Sequence, residues 1–298
     1  MSIRDFLAAQ KRRLVSRLVH PDIERIEIKL NEILARPPTT TLESAPDAQM
    51  RIVEKFAVES FWATLDRIYD RELETRTLKC IVCDHADKRS GFEIRTADCA
   101  FGGGRLERYV CPSCGCIFGA QKFLDLNRSL VDLDYRLLYS RYREANTTEN
   151  EIRTFRSLNP RKGGIYLNWG TGAWNTTVGD LRAEGFDVWG YEPSAEISSR
   201  FVIGDKGAIT PLDGIFSNNV IEHFIDPVAQ FKEFHSMLKP GTLMAHATAC
   251  YEYRYESSRF HAVFLLGKSV ETLAMRTGFE LVDSVADGEY MNKVFRRI

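Results

Sequence analysis

The sequence predicts an α/β protein in which a mainly parallel sheet fills the C-terminal half, preceded by a helical N-terminal arm and a small cysteine-bearing ribbon. From Gly163 onward, short apolar runs alternate with helical segments, which is typical of a parallel sheet with helices on both faces. Two Cys-x-x-Cys pairs lie further upstream, and apolar residues recur at helical spacing before them. We therefore divide the chain into four segments, 1–77, 78–120, 121–160 and 161–298.

The N-terminal segment, 1–77, has the periodicity of three helices. The first two cover residues 3–19 and 22–36, and the second carries apolar residues at steps of three and four, as in a short coiled-coil seam. A linker rich in Thr, Ser and Pro runs to Asp47, and a third amphipathic helix carries apolar residues from Val53 to Tyr69. Two interpretations stay open for the first 36 residues: packing on the same chain or a second copy, or a basic helix that touches a membrane surface or an assembly partner. The seam favours self-association.

The segment 78–120 predicts a metal site. Cys80 and Cys83 form one pair, Cys111 and Cys114 form the other, and 27 residues separate the pairs. Each pair places two thiolates on one tight turn, and two such turns together make a tetrahedral four-sulfur site that suits Zn²⁺. One pair alone could be a redox site; two pairs in a reducing compartment favour a structural zinc ion with no open position. We expect His85, Cys99 and Cys116 to be bystanders.

The other regular elements follow from the same patterns. The ribbon contains two short strand-like runs, and the connector 121–160 contains a tyrosine-rich helix over Asp134–Arg143, followed by a polar stretch over Glu144–Glu151. The predicted strands of the C-terminal sheet are Ile165–Trp169, Asp187–Tyr191, Gly214–Val220 and Leu243–Thr248, and those of the ribbon are Phe92–Arg95 and Leu106–Val110.

A glycine turn follows the first strand of the sheet. Gly170, Thr171 and Gly172 lie between that strand and a helix, where glycine lets the backbone pass close to a ligand. Glu192 ends the next strand, 22 residues after Gly170. A carboxylate at that point can accept hydrogen bonds from both hydroxyls of a ribose.

These motifs resemble those of class I S-adenosylmethionine (SAM) dependent methyltransferases. The resemblance continues in three later stretches and covers roughly residues 160–298; the stretches are Phe216–Pro227, Leu238–Gly241, and Phe260 with His261, Ser269 and Thr277–Phe279. It implies a Rossmann-like methyltransferase domain and a SAM site formed by six residues, Asn168, Gly170, Thr171, Gly172, Glu192 and Asn218. Two positions depart from the family pattern: Asn168 stands where the family has an acid, and Trp174 where it has the last glycine.

The later motifs are similar to those of a subgroup that acts on small molecules and glycans. The cysteine ribbon and the tyrosine-rich helix ahead of the catalytic domain look like those of sugar C-methyltransferases and other glycan-pathway methyltransferases. The resemblance therefore implies methylation of a sugar, nucleotide-sugar or glycan acceptor, at oxygen or carbon. It also makes an envelope-biosynthesis protein or a second copy of the chain the expected partner of the N-terminal helices.

Methyl transfer to a hydroxyl needs a group that removes a proton. His223 follows the fourth strand, Glu222 beside it could orient His223 or bind a cation, and His261 lies in a loop after the fifth strand. We take these three residues as the candidate catalytic set, although Glu222 and His223 could equally cap the next helix. His246 falls inside a strand, where a core position is the expectation.

Three other functions stay open. A zinc-ribbon RNA methyltransferase would need phosphate contacts, but segment 78–120 has no dense Lys/Arg stripe. A catalytically silent fold that binds SAM or a partner would explain Asn168. A dinucleotide dehydrogenase would place its third glycine at Asn175.

Composition and charge indicate which partners and which cellular location to expect. The formal net charge is −1, so no global field attracts nucleic acid, and we expect no nucleic-acid partner. No uncharged run approaches the roughly 20 residues of a membrane span, and the first residues lack the apolar core of a secretory signal. We therefore expect a cytoplasmic protein.

Overall fold

A computed structural model describes residues 45–140, 142, 145–172, 175–193 and 199–298. The predicted helices over 3–19 and 22–36, and Trp174, lie outside the described residues. The chain divides into two compact units, Met1–Val58 and Glu59–Ile298. In the first unit the structure describes part of one helix, α1 (Ala45–Glu72), which continues into the second unit.

The second unit contains two main sheets and six further α-helices among the described residues. The helices are α2 (Gln121–Leu124), α3 (Arg128–Tyr139), α4 (Thr148–Ser157), α5 (Thr177–Ala183), α6 (Pro227–Met237) and α7 (Ser269–Thr277). The strands are β1 (Thr77–Lys79), β2 (Ala86–Lys88), β3 (Glu93–Asp98), β4 (Arg105–Val110), β5 (Ile117–Gly119), β6 (Ile165–Trp169), β7 (Asp187–Tyr191), β8 (Val202–Ile203), β9 (Leu212–Asn218), β10 (Leu238–Ala247), β11 (Val263–Phe264), β12 (Phe279–Asp287) and β13 (Tyr290–Arg297).

The larger sheet has the strand order β12-β13-β10-β9-β6-β7-β8. Strands β10, β9, β6, β7 and β8 run parallel, while β12 and β13 pair antiparallel at one edge. The predicted α/β fold with a mainly parallel sheet is confirmed. The chain order reverses at β6, and in open α/β sheets ligands bind at such a point beyond the carboxyl ends of the strands.

Helices cover both faces of this sheet. The side chains of each strand point to the two faces in alternation, so both faces are apolar and packed. Tyr166 of β6 packs with Phe155 of α4 on one face. Leu167, the next residue, belongs to the cluster on the other face, which includes Phe231 of α6 and Leu273 of α7. A strand buried on both sides has few polar residues, so the fully buried Asn168 in β6 stands out.

Several predicted boundaries shift. Strand β9 begins and ends two residues earlier than predicted, and β10 begins five residues earlier. The tyrosine-rich helix α3 begins at Arg128, because the Asn127 side chain caps it by accepting a hydrogen bond from the Leu130 N–H at 3.0 Å. The prediction of a polar stretch over 144–151 was wrong at its end, because α4 begins at Thr148 and contains Glu151.

The cysteine ribbon shares a sheet with the C-terminal part of the chain. Its strands β3, β4 and β5 are extended by β11, which pairs antiparallel with β5. The Lys268 N–H also donates to the Cys114 carbonyl at 2.8 Å. The ribbon is therefore built into the same compact unit as the large sheet, and the domain boundaries drawn from the sequence stay a prediction.

A buried ion pair joins α3 to the loop that precedes β11. The Arg259 guanidinium donates to both carboxylate oxygens of Asp134, at 2.8 and 2.6 Å. It also donates to the Phe101 carbonyl at 2.6 Å. The side chains are 2% and 10% exposed, so removing either partner leaves a charge in a site that water hardly reaches.

No described helix combines sufficient length with a sufficiently apolar run to cross a bilayer.

Replacing Asp134 by Ala is expected to lower the free energy of unfolding by about 3–5 kcal/mol, because it leaves the Arg259 charge buried and uncompensated. Urea denaturation of the full chain measures the change. Asp132→Ala is the matched control: Asp132 pairs with Arg128 on the same helix, but both side chains are at least half exposed, so its loss should cost less than about 1 kcal/mol. Equal costs for the two variants would contradict the prediction.

Candidate active site

The glycine turn after β6 has the tight geometry that its sequence predicts. Gly170 and Gly172 both lie in the left-handed region, with φ of 71° and 64°. A Cβ on Gly170 would fall 2.6 Å from Val220 Cγ2, so only glycine fits there. The Gly170 N–H donates to the Tyr191 carbonyl at 2.8 Å, which ties the turn to the end of β7.

Glu192 lies beside this turn, directly after β7. The Gly172 N–H donates to Glu192 Oε2 at 3.0 Å. The two features predicted separately from the sequence, the glycine turn and the acid 22 residues after it, are thus in direct contact at the carboxyl edge of the sheet.

A buried carboxylate that the sequence analysis missed lies behind the turn. Glu151 of α4 is 1% exposed, and Asn168 Nδ2 donates to Glu151 Oε2 at 2.7 Å. Asn175 Nδ2 and the Thr147 hydroxyl also donate to this carboxylate. The family's acid is absent from position 168, but helix α4 brings an acid to the same place. The signal that could have found it is the helical spacing that places Glu151 on the same buried face as Thr154 and Phe155, and the assignment of this stretch as a connector concealed it.

Burial raises the pKa of Glu151 to about 7, although its hydrogen bonds from Thr177, Asn168, Thr147 and Asn175 act in the opposite direction. Desolvation disfavours the ionised form of a carboxyl group, so its pKa rises. Glu151 therefore changes charge near neutral pH, at the cofactor turn.

One cleft of about 1390 Å³ opens at this edge of the sheet. It is lined by Gly170, Gly172, Glu192 and Asn218, and also by Glu222, His223 and His261. Most of the predicted site residues thus meet in one cavity. Asn168 and Thr171 are not among the described residues that line it: both are buried, and Asn168 Nδ2 donates to Thr171 Oγ1 at 3.2 Å, so they support the turn from behind.

Asn218 offers this cleft a hydrogen-bond donor. It ends β9 and is 7% exposed. Its Nδ2 is buried and has no hydrogen-bond partner among the residues that the structure describes. A buried amide normally finds a partner, so a ligand in the cleft would satisfy it.

The candidate catalytic residues form a cluster that also lines the cleft. Glu222 and His223 lie in a single 3₁₀ turn, Ile221–His223, directly beyond β9. The rings of His223 and His261 meet edge to face, with their centroids 5.1 Å apart. His223 Nδ1 lies 3.1 Å from the Phe260 carbonyl oxygen. A carbonyl can only accept, so Nδ1 carries the proton and Nε2 carries the lone pair.

Burial lowers the pKa of His261 to about 2, and the charges of His223 and Arg108 act in the same direction. An imidazole whose pKa lies far below physiological pH binds a proton only weakly, so His261 is a poor candidate for the base. His246 is fully buried, and burial lowers its pKa to about 3. It contacts the Ser217 hydroxyl at 2.8 Å, consistent with the core position expected for it.

The four predicted metal-binding cysteines converge. Their sulfur atoms all lie within 4.8 Å of one another. Cys80 Sγ is 3.7 Å from Cys114 Sγ, and Cys83 Sγ is 3.5 Å from Cys111 Sγ. A tetrahedral ion with metal–sulfur bonds of about 2.3 Å holds its sulfurs ~3.8 Å apart, so the spacing fits zinc without rearrangement.

The two cysteine turns have the same backbone geometry. Asp84 and Gly115, the residues after each pair, both have positive φ, 65° and 82°. In each turn the first cysteine N–H donates to a carbonyl five residues later, of His85 and Cys116 respectively, at 2.8 Å. Two equivalent turns facing each other are the structure expected of a four-cysteine metal ribbon.

Comparisons with known proteins agree with this site. Residues 140–284 match a family model described as a methyltransferase domain, a range that overlaps the segment 161–298 drawn from the sequence. None of the curated proteins compared with the chain matches its sequence.

Solved structures that resemble the chain include three methyltransferases. A 1,6-didemethyltoxoflavin-N1-methyltransferase from Burkholderia thailandensis, with 1,6-didemethyltoxoflavin and S-adenosylhomocysteine bound, is 12% identical with a TM-score of 0.47, and the match covers 69% of this chain and 99% of that one. A SAM-dependent methyltransferase from Mesorhizobium loti is 15% identical with a TM-score of 0.35, covering 50% and 98%. The glycopeptide N-methyltransferase MtfA, complexed with sinefungin, is 13% identical with a TM-score of 0.41, covering 52% and 94%. These likenesses are too distant to assign an activity.

Glu151→Gln is expected to weaken SAM binding and to remove its dependence on pH. SAM is a cation, so the wild-type affinity should rise as pH increases from 6 to 8 and the Glu151 carboxyl ionises, by about tenfold for a pKa near 7. The variant should bind weakly and equally at both pH values. Calorimetric titration of SAM into the full chain measures this.

Glu149→Gln, an exposed acid on the same helix, is the matched control and should behave as wild type. A Glu151→Gln variant that keeps the wild-type pH profile would show that another group governs SAM binding.

Proposed function

We propose that this protein is a SAM-dependent methyltransferase that acts on a sugar, nucleotide-sugar or glycan, at oxygen or carbon. One observation carries the proposal: the glycine turn with Glu192, and the cluster of Glu222, His223 and His261, line the same cleft. A methyl donor and an acceptor can therefore meet in one cavity, which is the main requirement of an in-line displacement.

The charge of the cleft supports a cationic cofactor. Seven carboxylates and three cationic side chains are among the described residues that line it. The carboxylates are Asp132, Glu151, Glu192, Glu222, Asp226, Glu233 and Glu289, and the cations are Arg128, Arg136 and Lys206. SAM carries a sulfonium and an ammonium group, which such a lining favours. Gly172, Glu192 and Asn218 would hold the cofactor, with Asn168 and Thr171 shaping the turn from behind.

When bound, SAM supplies an electrophilic methyl group: a bond forms between that carbon and the acceptor atom while the carbon–sulfur bond breaks, leaving a neutral thioether. The chain itself must orient the acceptor and remove its proton. His223 has its lone pair on Nε2 because Nδ1 donates to the Phe260 carbonyl, and it lines the cleft. It is therefore our candidate for the residue that accepts the proton, with Glu222 beside it.

An aromatic wall supports a sugar acceptor. The Tyr135 ring centroid lies 4.6 Å from that of Phe260 and 6.1 Å from that of His223. Tyr139 stacks beside Tyr135, with its centroid 6.1 Å away. Rings of this kind combine apolar faces with polar edges, which suits the apolar faces and hydroxyls of a sugar. A nucleotide-sugar would have to place its phosphates near Arg128 or Arg136.

The acidic lining weighs against an RNA substrate, because RNA binding depends on cations that contact phosphates. Glu151 weighs against the silent-fold alternative, because it returns to the cofactor turn the carboxylate that Asn168 lacks.

We also propose that Cys80, Cys83, Cys111 and Cys114 hold a structural Zn²⁺ ion. Their spacing fits a tetrahedron, and with four thiolates no position is open for catalysis. None of the seven cysteines forms a disulfide in the structure. A cytoplasmic location stays a proposal from the sequence. An assembly partner or a second copy bound through the N-terminal helices stays a proposal from the sequence.

Methyl transfer from radiolabelled SAM to a panel of nucleotide-sugars and cell-envelope glycans tests the function. We expect label in at least one acceptor, and Glu192→Ala should lose detectable SAM binding and all transfer. Glu280→Ala, an exposed acid of β12 outside the cleft, should retain both. SAM binding without any labelled acceptor would favour a silent fold, and a strong, salt-sensitive mobility shift with RNA would favour the RNA alternative; either result contradicts our proposal.

Cys111→Ser is expected to abolish stoichiometric zinc binding and to lower the melting temperature, because metal binding and folding of such a ribbon are coupled. Elemental analysis should find one zinc ion per wild-type chain. Cys99→Ser, a cysteine outside the cluster, is the control and should retain the full zinc content. Zinc at wild-type level in Cys111→Ser would refute the proposed ligand set.

A further inference from the structure

We propose that Glu222, His223 and His261 form a second metal site, which binds a divalent cation such as Mn²⁺ or Fe²⁺ inside the cleft. One carboxylate oxygen of Glu222 and one ring nitrogen of each histidine all lie within 4.8 Å of one another. Two imidazoles and a carboxylate on one side of a metal ion leave its remaining positions open, as in non-haem iron centres.

The carboxylate of this cluster is buried. Exposed acidic groups, in contrast, often lie together without binding an ion. Glu222 is 3% exposed. Glu222 lines the cleft together with both histidines, so the three groups share one cavity that a cation can enter.

The backbone around the cluster holds the ligands in place. Glu222 and His223 are adjacent in one 3₁₀ turn, and the Glu222 carbonyl accepts a hydrogen bond from the Ala262 N–H at 2.8 Å. His223 Nδ1–H donates to the Phe260 carbonyl at 3.1 Å. Two hydrogen bonds thus clamp the segment that carries His261 against the segment that carries the other two ligands. A histidine whose second nitrogen donates to a carbonyl is the usual arrangement of a metal ligand, because that bond fixes the tautomer and the ring orientation.

The donor set predicts which cations bind. Imidazole and carboxylate suit Mn²⁺, Fe²⁺, Co²⁺ and Zn²⁺, whereas the four-cysteine ribbon selects soft ions. Thiolates bind zinc more tightly than this donor set does, so one equivalent of zinc fills the ribbon and leaves the cleft for manganese. We call this state the zinc-loaded chain.

The role of this metal in catalysis rests on the proposed function, although its binding does not. An acceptor hydroxyl at an open position of the ion would be more acidic. Its proton would pass to solvent water, and the resulting oxygen anion would attack the methyl carbon as the carbon–sulfur bond breaks. The lone pair of His223 that binds the metal ion cannot also accept a proton. In this site His223 therefore positions the metal ion and is not the proton acceptor.

The test is titration of Mn²⁺ into the zinc-loaded full chain, without SAM or acceptor, followed by the electron paramagnetic resonance signal of free Mn²⁺. We expect one Mn²⁺ bound per chain, and affinities at least about tenfold weaker in His223→Ala, His261→Ala and the isosteric Glu222→Gln. His235→Ala is the matched control: His235 is a partly buried histidine on α6 beside Phe279, outside the cleft, and it should bind Mn²⁺ as wild type does.

Pulsed electron paramagnetic resonance detects the nitrogen ligands of the bound Mn²⁺ directly. This readout is therefore independent of folding defects in any variant. Couplings to two imidazole nitrogens are expected in the wild-type chain, and to one in His223→Ala. Absence of bound Mn²⁺ in the wild type, or wild-type affinity in all three ligand variants, would overturn the metal site. No methyl transfer is measured, so the Mn²⁺ result can be interpreted even if the proposed function fails. If the metal site fails, His223 remains the candidate proton acceptor.

Discussion

The buried guanidinium of Arg108 links the cysteine ribbon to the loop that carries His261. Arg108 lies in β4, is fully buried, and donates to the carbonyls of Glu256, Ser258 and His261 at 2.6, 2.6 and 3.3 Å. These carbonyls belong to the loop that carries His261. An arginine presents donors in a rigid fork, so three acceptors around it must keep their mutual positions. The ribbon, though distant in sequence, therefore determines where the loop that carries His261 lies.

Two further arginines reinforce this link. Arg259, in the same loop, forms the buried pair with Asp134 of α3 and reaches the Phe101 carbonyl next to the ribbon. Arg276 of α7 donates to the Val82 carbonyl and to Asp84 in the first cysteine turn. A metal ion in the ribbon would thus stabilise more than the ribbon itself. Its effect would extend to the loop that carries Phe260 and His261, because Arg108 and Arg259 tie that loop to the ribbon.

At the glycine turn, the buried carboxylate comes from a neighbouring helix. A charge that the first strand lacks is supplied by Glu151 from a neighbouring helix, and Asn168 serves as its hydrogen-bond donor. Asparagine and glutamate can form a bond that two adjacent acids could not form without a shared proton, because paired carboxylates repel each other. The substitution at position 168 is therefore compatible with a SAM site and explains why an acid is tolerated, almost fully buried, in α4.

The local patterns of the sequence determined the α/β class, the strands β6 and β7, the glycine turn with Glu192, and the four cysteines, because each depends on residue type and spacing within a short stretch. Tertiary structure alone decided three other features. It placed Glu151 behind the cofactor turn, it extended the ribbon sheet with β11, and it brought His261 to Glu222 and His223. Each of these depends on contacts between residues far apart in the chain, and neither periodicity nor motif spacing carries information about such contacts. The start of α4 was missed for a related reason: its surface is polar, and packing of Phe155 on the sheet stabilises it as a helix.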